Sequence, residues 1–595
     1  MRRIPNPSPE HAVPPRSLPF SLSPILPPAH SMPPAPAYHD WLLHTADRLR
    51  SGDTPPRTAA EAGRRAAAIR ARVREAVGAA FPVGERPALA PEVLGRLERD
   101  GYRIERLTFH TQPGVVATAT AYVPTTGRGP FPGVLCVHGH WQGARRDPVV
   151  QSRCVGLAKL GFFALTLDAW GAGERGTRPG QNEYHGGLLG ASLWPVGTPL
   201  HGLQLWDNVR ALDYLQSRPE VDPQRLGCTG ASGGGNQTTQ LSAFDERVRC
   251  AVPVCSVGTF KSYLEAACCV DEVLRGALTF AEEGDLLGMV APRALLVISA
   301  SRDTYHFGPE AAKEALDRAR PYFQAHAAGE RVRHAVFDSG HDYNQPMREA
   351  MYGWMTRWLK GEGDGAPVPE PKLTLEDPEA LRCFPGFRPG RVVTTVQWVR
   401  RRAEELRREK ALPAAPAARE KERGARRQRL ARALQLPEET KPALAGTPDA
   451  PELETEPGLR VPLSILRPAD PSSPTPPTAP SPIRSWVVLL DPRGRRAALE
   501  SPLARQLQQA GLAVCAPDLR GCGDLTLPDQ GLGEAIPDHN LVEWSLWIGR
   551  PLLGQWVHDI RVLAGCGHLL GLGESRPFIV GRREAGLAAL AAAAL

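Results

Sequence analysis

Two kinds of apolar pattern alternate along the first two thirds of the chain. ATATAYVP, GVLCVHG, GFFALTLD, RLGCTGAS, CAVPVCSV, ALLVISA and VRHAVFD are short, nearly continuous apolar runs of strand length. Between them VVQSRCVGLAKL, LQLWDNVRALDYLQS and PEAAKEALDRARPYFQAH carry apolar residues at helical spacing. Strands alternating with helices predict a mostly parallel sheet covered on both faces, an α/β architecture.

The pattern then repeats. RPALA at Arg86 returns as KPALA at Lys441, GFFALTLDAWGAGE at Gly161 as GLAVCAPDLRGCGD at Gly511, SLW at Ser192 as SLW at Ser545, and LGCTGASGGG around Ser232 as FIVGRREAG around Arg583. Four landmarks in one order at nearly one spacing predict tandem modules. Residues 38–360 form the first, and residues 425–595 a degenerate second, with 361–424 a linker that is Pro/Gly-rich and then basic and helical. A Pro-rich run at 470–482 falls inside the second module and is expected as an enlarged surface loop. The second copy stops about twelve residues after its elbow position, which leads us to expect a chain continuing past Leu595 and a half-sheet that leans on the first module. The first module, as residues 38–375, is expected to be soluble and active alone.

Length and composition fit this division. At roughly 150 residues per domain, 595 residues allow two to four domains. With 42% hydrophobic and 23% charged residues the chain is globular, while 58 Gly and 60 Pro require loops and linkers. Twelve prolines fall within the first 36 residues, so residues 1–37 are expected as a disordered leader, with Met32 as an alternative start to Met1. No uncharged apolar run approaches the roughly 18 residues of a membrane span. The net charge of +7 is local, because 13 Lys/Arg against 5 Asp/Glu lie between Arg400 and Arg432. Mixed with Glu, that segment reads as a solvated helix, so no nucleic-acid partner is expected. Eleven cysteines, an odd number, sit partly in strand-like runs (Cys136, Cys255, Cys515), and neither C-x-x-C nor zinc spacing occurs. Reduced core thiols, no metal, no cofactor and a cytoplasmic location are the expectation.

The chemistry lies in the first module. Gly230-Ala231-Ser232-Gly233-Gly234 fits G-x-S-x-G between a strand and a helix, where a sharp turn lifts the serine hydroxyl clear of the sheet. Asp303 in SRDTYHF and His341 in DSGHDYN follow in the order Ser, Asp, His, each in a loop after a strand. Ser232 is the candidate nucleophile, His341 its base and Asp303 the carboxylate that orients the imidazole. Asp338 and Asp342 are the alternative carboxylates. Main-chain N–H groups of Gly233 and His140 are the candidate oxyanion donors. His138 is expected to order its loop, and Asp168 to fix the turn after its own strand. In the second module Arg583 stands where Ser232 stands, and Asp491-Pro492-Arg493-Gly494 replaces the His-Gly-His turn.

With HGHWQG, DAWGAGER, TGASGGGNQT, SASRD and SGHDYN together, residues 100–360 resemble the α/β-hydrolase superfamily, close to acetyl xylan esterase, dienelactone hydrolase and prolyl oligopeptidase catalytic domains. The resemblance implies the α/β-hydrolase fold and a serine hydrolase of carboxylic esters, with short-acyl or carbohydrate esters as substrates. A prolyl oligopeptidase-type peptidase and a non-catalytic scaffold are the alternatives. Gly233 departs from the Gln that usually follows the nucleophile in acetyl xylan esterases. Two insertions, 171–205 and 258–283, should shape the pocket, with Trp141, Tyr184, His185 and Trp194 as candidate lining residues.

Overall fold

In the computed structural model the described residues are 37–595 except 83–85, 179–182, 184–187, 267–268, 304, 410–412, 414, 438–440, 469–484 and 528–538. The Pro-rich leader up to Pro36, the Pro-rich loop at 470–482, and Tyr184 and His185 therefore lie outside them. The apolar runs form the expected strands. Strands β1 (Glu92–Arg99), β2 (Tyr102–Gln112), β3 (Val115–Pro124), β4 (Phe131–Cys136), β5 (Phe163–Leu167), β6 (Val221–Ala231), β7 (Val248–Val254), β8 (Ala294–Ala300) and β9 (Val332–Phe337) pair in the order 1-2-3-5-4-6-7-8-9. β1, β2, β3 and β5 run antiparallel to one another, and β5, β4, β6, β7, β8 and β9 are parallel. This is the α/β-hydrolase fold.

β1 and β2 were not legible as strands, because their charged residues hide the pattern. In β2 the partly exposed Arg103, Arg106 and His110, together with the buried but charged Glu105, interrupt the row of apolar positions. Helices Pro148–Lys159, Leu200–Ser217, Gly233–Phe244 and Pro309–Ala325 connect the parallel strands. The first of them starts with Asp147, whose carboxylate accepts from Val149 N–H, followed by Pro148, a regular N-terminal pairing.

A second sheet holds β10 (Ala443–Thr447), β11 (Ala450–Glu456), β12 (Leu459–Leu466), β13 (Trp486–Leu490), β14 (Ala513–Pro517) and β15 (Phe578–Gly581) in the order 10-11-12-14-13-15. Order and direction match those of β1 to β6: antiparallel as far as β14, then parallel through β13 to β15. Among the described residues β15 is an open edge, flanked by Phe578, Leu587 and Leu590 at 62%, 59% and 73% exposure, so neither the first module nor the basic helix covers it.

The linker is largely not a tether. Between Gly361 and Thr395 the chain straps the first sheet: Arg99 pairs with Glu376, Arg145 donates to Leu381 O, and Glu174 accepts from Cys383 and Phe384 N–H. An extended Pro-rich segment has unpaired backbone groups, and buried charged side chains supply their partners. The helices Thr395–Glu409 and Pro416–Leu434 carry the expected exposed ion pairs, such as Arg423 with Glu420.

Both sheets belong to one contact unit, and although the second sheet has apolar clusters of its own, one large cluster joins the two. Trp544 and Trp547, on the helix His539–Trp547, lie in the same apolar cluster as Phe260, Tyr263 and Leu274. Trp547 packs on Phe260 and Tyr263 at 4.9 and 5.1 Å between centroids, Trp544 stacks on His39 at 4.7 Å, and Gly276 N–H donates to Leu546 O. In the helix Ala37–Arg50, Tyr38 donates to Gln555 and Trp41 lies under Arg520. A chain ending at residue 375 would lack both this contact and residues 376–394 of the strap.

Candidate active site

β6 passes into the helix Gly233–Phe244 through Ser232, held at φ 59° and ψ −132°. Positive φ in a residue with a Cβ is strained and persists only where its surroundings fix it. Here Ser232 N–H donates to Val254 O on β7, and the Ser232 carbonyl accepts from Gly235 and Asn236 N–H at 2.7 and 3.1 Å. The elbow needs close backbone approach: a Cβ on Gly230 would come within 2.5 Å of Val137 O.

Asp303 and His341 hang from the ends of β8 and β9. His341 Nδ1 donates to the Asp303 carboxylate, 2.8 and 3.0 Å from its two oxygens, which leaves the Nε2 lone pair as the base. The carboxylate is fully buried while the imidazole is 28% exposed. Of the alternatives, Asp338 is largely exposed and pairs with Arg302, and Asp342 accepts from Tyr343 N–H. The structure thus pairs His341 with Asp303.

Cys255 adjoins this pair, a neighbour that the apolar run CAVPVCSV gave no reason to single out. It has φ 47°, donates Sγ–H to Asp342 O, and lies with Asp303 and His341 in one cluster whose atoms are within 4.8 Å. Burial, followed by the Asp303 charge, pushes its thiol up to about 12, so it stays neutral.

The turn after β4 crosses the elbow. A Cβ on Gly139 would lie 2.9 Å from the Trp141 ring and 3.0 Å from Ser232 Cβ, which sets His140 and Trp141 beside the nucleophile. His138 orders this turn: its Nδ1 donates to Gly139 O and its Nε2 accepts from Ala169 N–H, and burial holds it neutral at about 4. Asp168 also does what the sequence suggests, accepting from Thr118 Oγ1, Arg145 and Glu174 N–H.

The His140 ring turns to Asp271, with Nε2 at 3.1 and 3.2 Å from its oxygens. Burial alone would lower this imidazole, but the Asp271 carboxylate outweighs it and the net shift is upward. A Cβ on residue 233 would sit 2.8 Å from His140 Nε2 and 3.2 Å from Asp271 Oδ2. The pair therefore occupies the space of a side chain at 233, which accounts for Gly233. Glu272 lies next to them, its carboxyl pushed up to about 7 by burial and by Asp271.

Trp141 and Phe307 lie nearly parallel to the His341 ring at 6.3 and 6.0 Å. Tyr263 stands behind Phe307 at 5.9 Å and carries the contact on to Trp547 of the second module. Trp194 is half-buried in a short helical turn and packs on the hydrophobic core. Of the two insertions, 258–283 supplies Tyr263, Cys269, Asp271 and Glu272. Spacing alone could not place Cys269 and Asp271 at this site, since His140, their partner there, is 129 and 131 residues away.

Residues 96–266 match the family model described as acetyl xylan esterase (AXE1). A protein named as a hydrolase, YtaP of Bacillus subtilis (strain 168), is 30% identical over 184 residues, 29% of this chain and 59% of that protein. The uncharacterised PA2218 of Pseudomonas aeruginosa is 25% identical over 147 residues, 25% of this chain and 35% of the other. The chain thus spans less than two thirds of the length of either. Among solved structures, methylesterase BT1017 is 22% identical, with a TM-score of 0.49 covering 63% of this chain and 82% of that one. A glucuronoyl esterase from Solibacter usitatus is 16% identical, with a TM-score of 0.39 covering 50% and 91%.

Proposed function

We propose that this α/β-hydrolase chain is a serine-dependent hydrolase of carboxylic esters, of the acetyl xylan esterase kind, acting on short-acyl or carbohydrate esters through an acyl-enzyme. The observation that carries the reading is the strained Ser232 elbow at the sheet end where β8 and β9 present the His341–Asp303 pair. His341 Nε2 takes the Ser232 proton as Oγ attacks the acyl carbon, then returns it to the departing alkoxide; water repeats the sequence to free the acid. Asp303 keeps Nδ1 protonated and stabilises the imidazolium. N–H groups of Gly233 and His140 meet the oxyanion, and Trp141 and Phe307 wall the acyl side. The family match over 96–266 supports the ester class.

The second sheet is, on this reading, a catalytically silent partial copy. Among the described residues ten cysteines are free and buried, which supports a reducing, cytoplasmic setting, and no helix is long and apolar enough to cross a membrane. Fluorophosphonate labelling of the full chain, followed by peptide mapping, tests the reading. A single adduct on Ser232, with turnover of acetyl and longer acyl esters but not of peptide amides, is the expected result; absence of labelling defeats it.

A further inference from the structure

Beside the elbow, and distinct from the Ser232, His341 and Asp303 set, three side chains of different donor type converge. A ring nitrogen of His140, Cys269 Sγ and a Glu272 carboxylate oxygen all lie within 4.8 Å of one another. Cys269 and Glu272 are buried and His140 is nearly so. The Nδ1 to Sγ separation is 3.7 Å. For bonds of about 2.0 Å to nitrogen and 2.3 Å to sulfur, the edge of a zinc tetrahedron is roughly 3.5 Å, close to that separation.

A second observation is independent of the spacing. Asp271 holds His140 from the other side, with its oxygens at 3.1 and 3.2 Å from Nε2. That contact makes Nε2 the protonated nitrogen and directs the Nδ1 lone pair at Cys269, the carboxylate–histidine arrangement that orients imidazole ligands on zinc. The ligand segment is also pre-shaped: Cys269 N–H donates to Glu272 Oε2 at 3.1 Å, closing the turn that brings thiol and carboxylate to one side.

We propose that His140, Cys269 and Glu272 bind one zinc-class divalent ion, with Asp271 as the outer partner of His140 and a fourth position left to water or another small ligand. On binding, Cys269 Sγ–H releases its proton to solvent and the thiolate bonds the metal, with no change of oxidation state. The ion ties the oxyanion turn to the segment Cys269–Glu272, elements 129 residues apart, and so anchors the 258–283 insertion against the elbow. Mixed nitrogen, sulfur and oxygen donors favour zinc over magnesium or calcium.

The test uses the full-length chain, freed of metal by a chelator and titrated with Zn²⁺ alone against a chromophoric competitor, then with Co²⁺ under anaerobic conditions. One saturable equivalent and a thiolate-to-cobalt charge-transfer band are expected. Cys269→Ser removes the band, and Asp271→Asn keeps it while weakening binding by about 10- to 100-fold. The wild-type cobalt spectrum reads thiolate ligation without any variant having to fold. No saturable binding overturns the proposal. So does a band that survives Cys269→Ser and is lost in Cys255→Ala, since the ion would then sit against the Asp303–His341 pair.

Discussion

The strand-to-helix turns at Ser232 and Arg583 both take a positive φ and differ in the side chains they present. Ser232 directly follows β6 and Arg583 lies two residues past the end of β15, and both have positive φ, 59° and 49°. The turns after β5 and β14 match as well. In the first sheet Asp168 binds Arg145 and Glu174 N–H beside Gly173; in the second Asp518 binds Arg495 and Asp524 N–H beside Gly523. A Cβ on either glycine would run into the aspartate, so the same turn is built twice from the same parts. What differs lies downstream. The first sheet goes on through β7, β8 and β9, whose ends carry Asp303 and His341, whereas β15 has no such neighbours among the described residues. An elbow is thus a local device of strand, turn and helix, while a triad requires the whole parallel sheet.

The largest separation between the two should appear in turnover. Ser232→Ala is expected to lower kcat by at least about 10⁴-fold with the melting temperature unchanged, and Ser232→Ala combined with His341→Ala to fall little further, because the pair acts as a unit. Arg583→Ser in the Ser232→Ala background restores the residue but not its partners; recovered activity or labelling would break the comparison. Next comes the choice of carboxylate. Asp303→Asn should cost about 10³- to 10⁴-fold in kcat through loss of the Nδ1–H tautomer. Asp338→Asn, exposed and paired with Arg302, should stay near wild type.

Stability gives a smaller contrast between the duplicated turns. Arg145 is fully buried against Asp168 and Glu174, so Arg145→Ala leaves two buried carboxylates and should cost about 3–5 kcal/mol. Arg495→Ala strands Asp518, but Asp524 is 48% exposed, and about 1–3 kcal/mol is expected. Equal losses in denaturant melts would mean that the second turn is as closed as the first.

The mildest effect is a pH dependence seated in the second module. Burial would raise the Glu456 carboxyl, but Arg550 and Arg520 outweigh it and hold it at about 2, against an ordinary 4.5. Because the folded value is the lower one, the unfolded chain binds the proton first. The stabilisation is complete above about pH 5 and fades as pH falls toward 2. Glu456→Gln should be less stable at neutral pH and should flatten the slope of unfolding free energy over that acid range. An unchanged slope would take Glu456 out of the acid response.

Alternation of apolar runs with helical segments was enough to identify the parallel strands, because strands buried on both faces must be apolar throughout. The local motifs placed Ser232, and the order of loops placed Asp303 and His341, since chemistry that needs a turn after a strand leaves its mark within a few residues. β1 and β2 escaped because charged residues break their apolar pattern, in β1 on largely exposed positions and in β2 where Glu105 is buried in ion pairs with Arg103 and Arg218. The strap at 361–394 was read as a linker because composition shows where a chain lacks regular structure, not what it lies against.

What the sequence by itself determined is therefore what neighbours along the chain decide: strand, helix and the strand-to-helix turn at Ser232. Contacts across long separations were decided only by the tertiary structure. They include Asp271 turning His140 beside Gly233, Cys255 beneath the Asp303–His341 pair, and Trp547 packed behind Tyr263 and Phe307. The physical reason is that such contacts follow from how helices and loops stack on a common sheet, and residue spacing along the chain carries no record of that stacking.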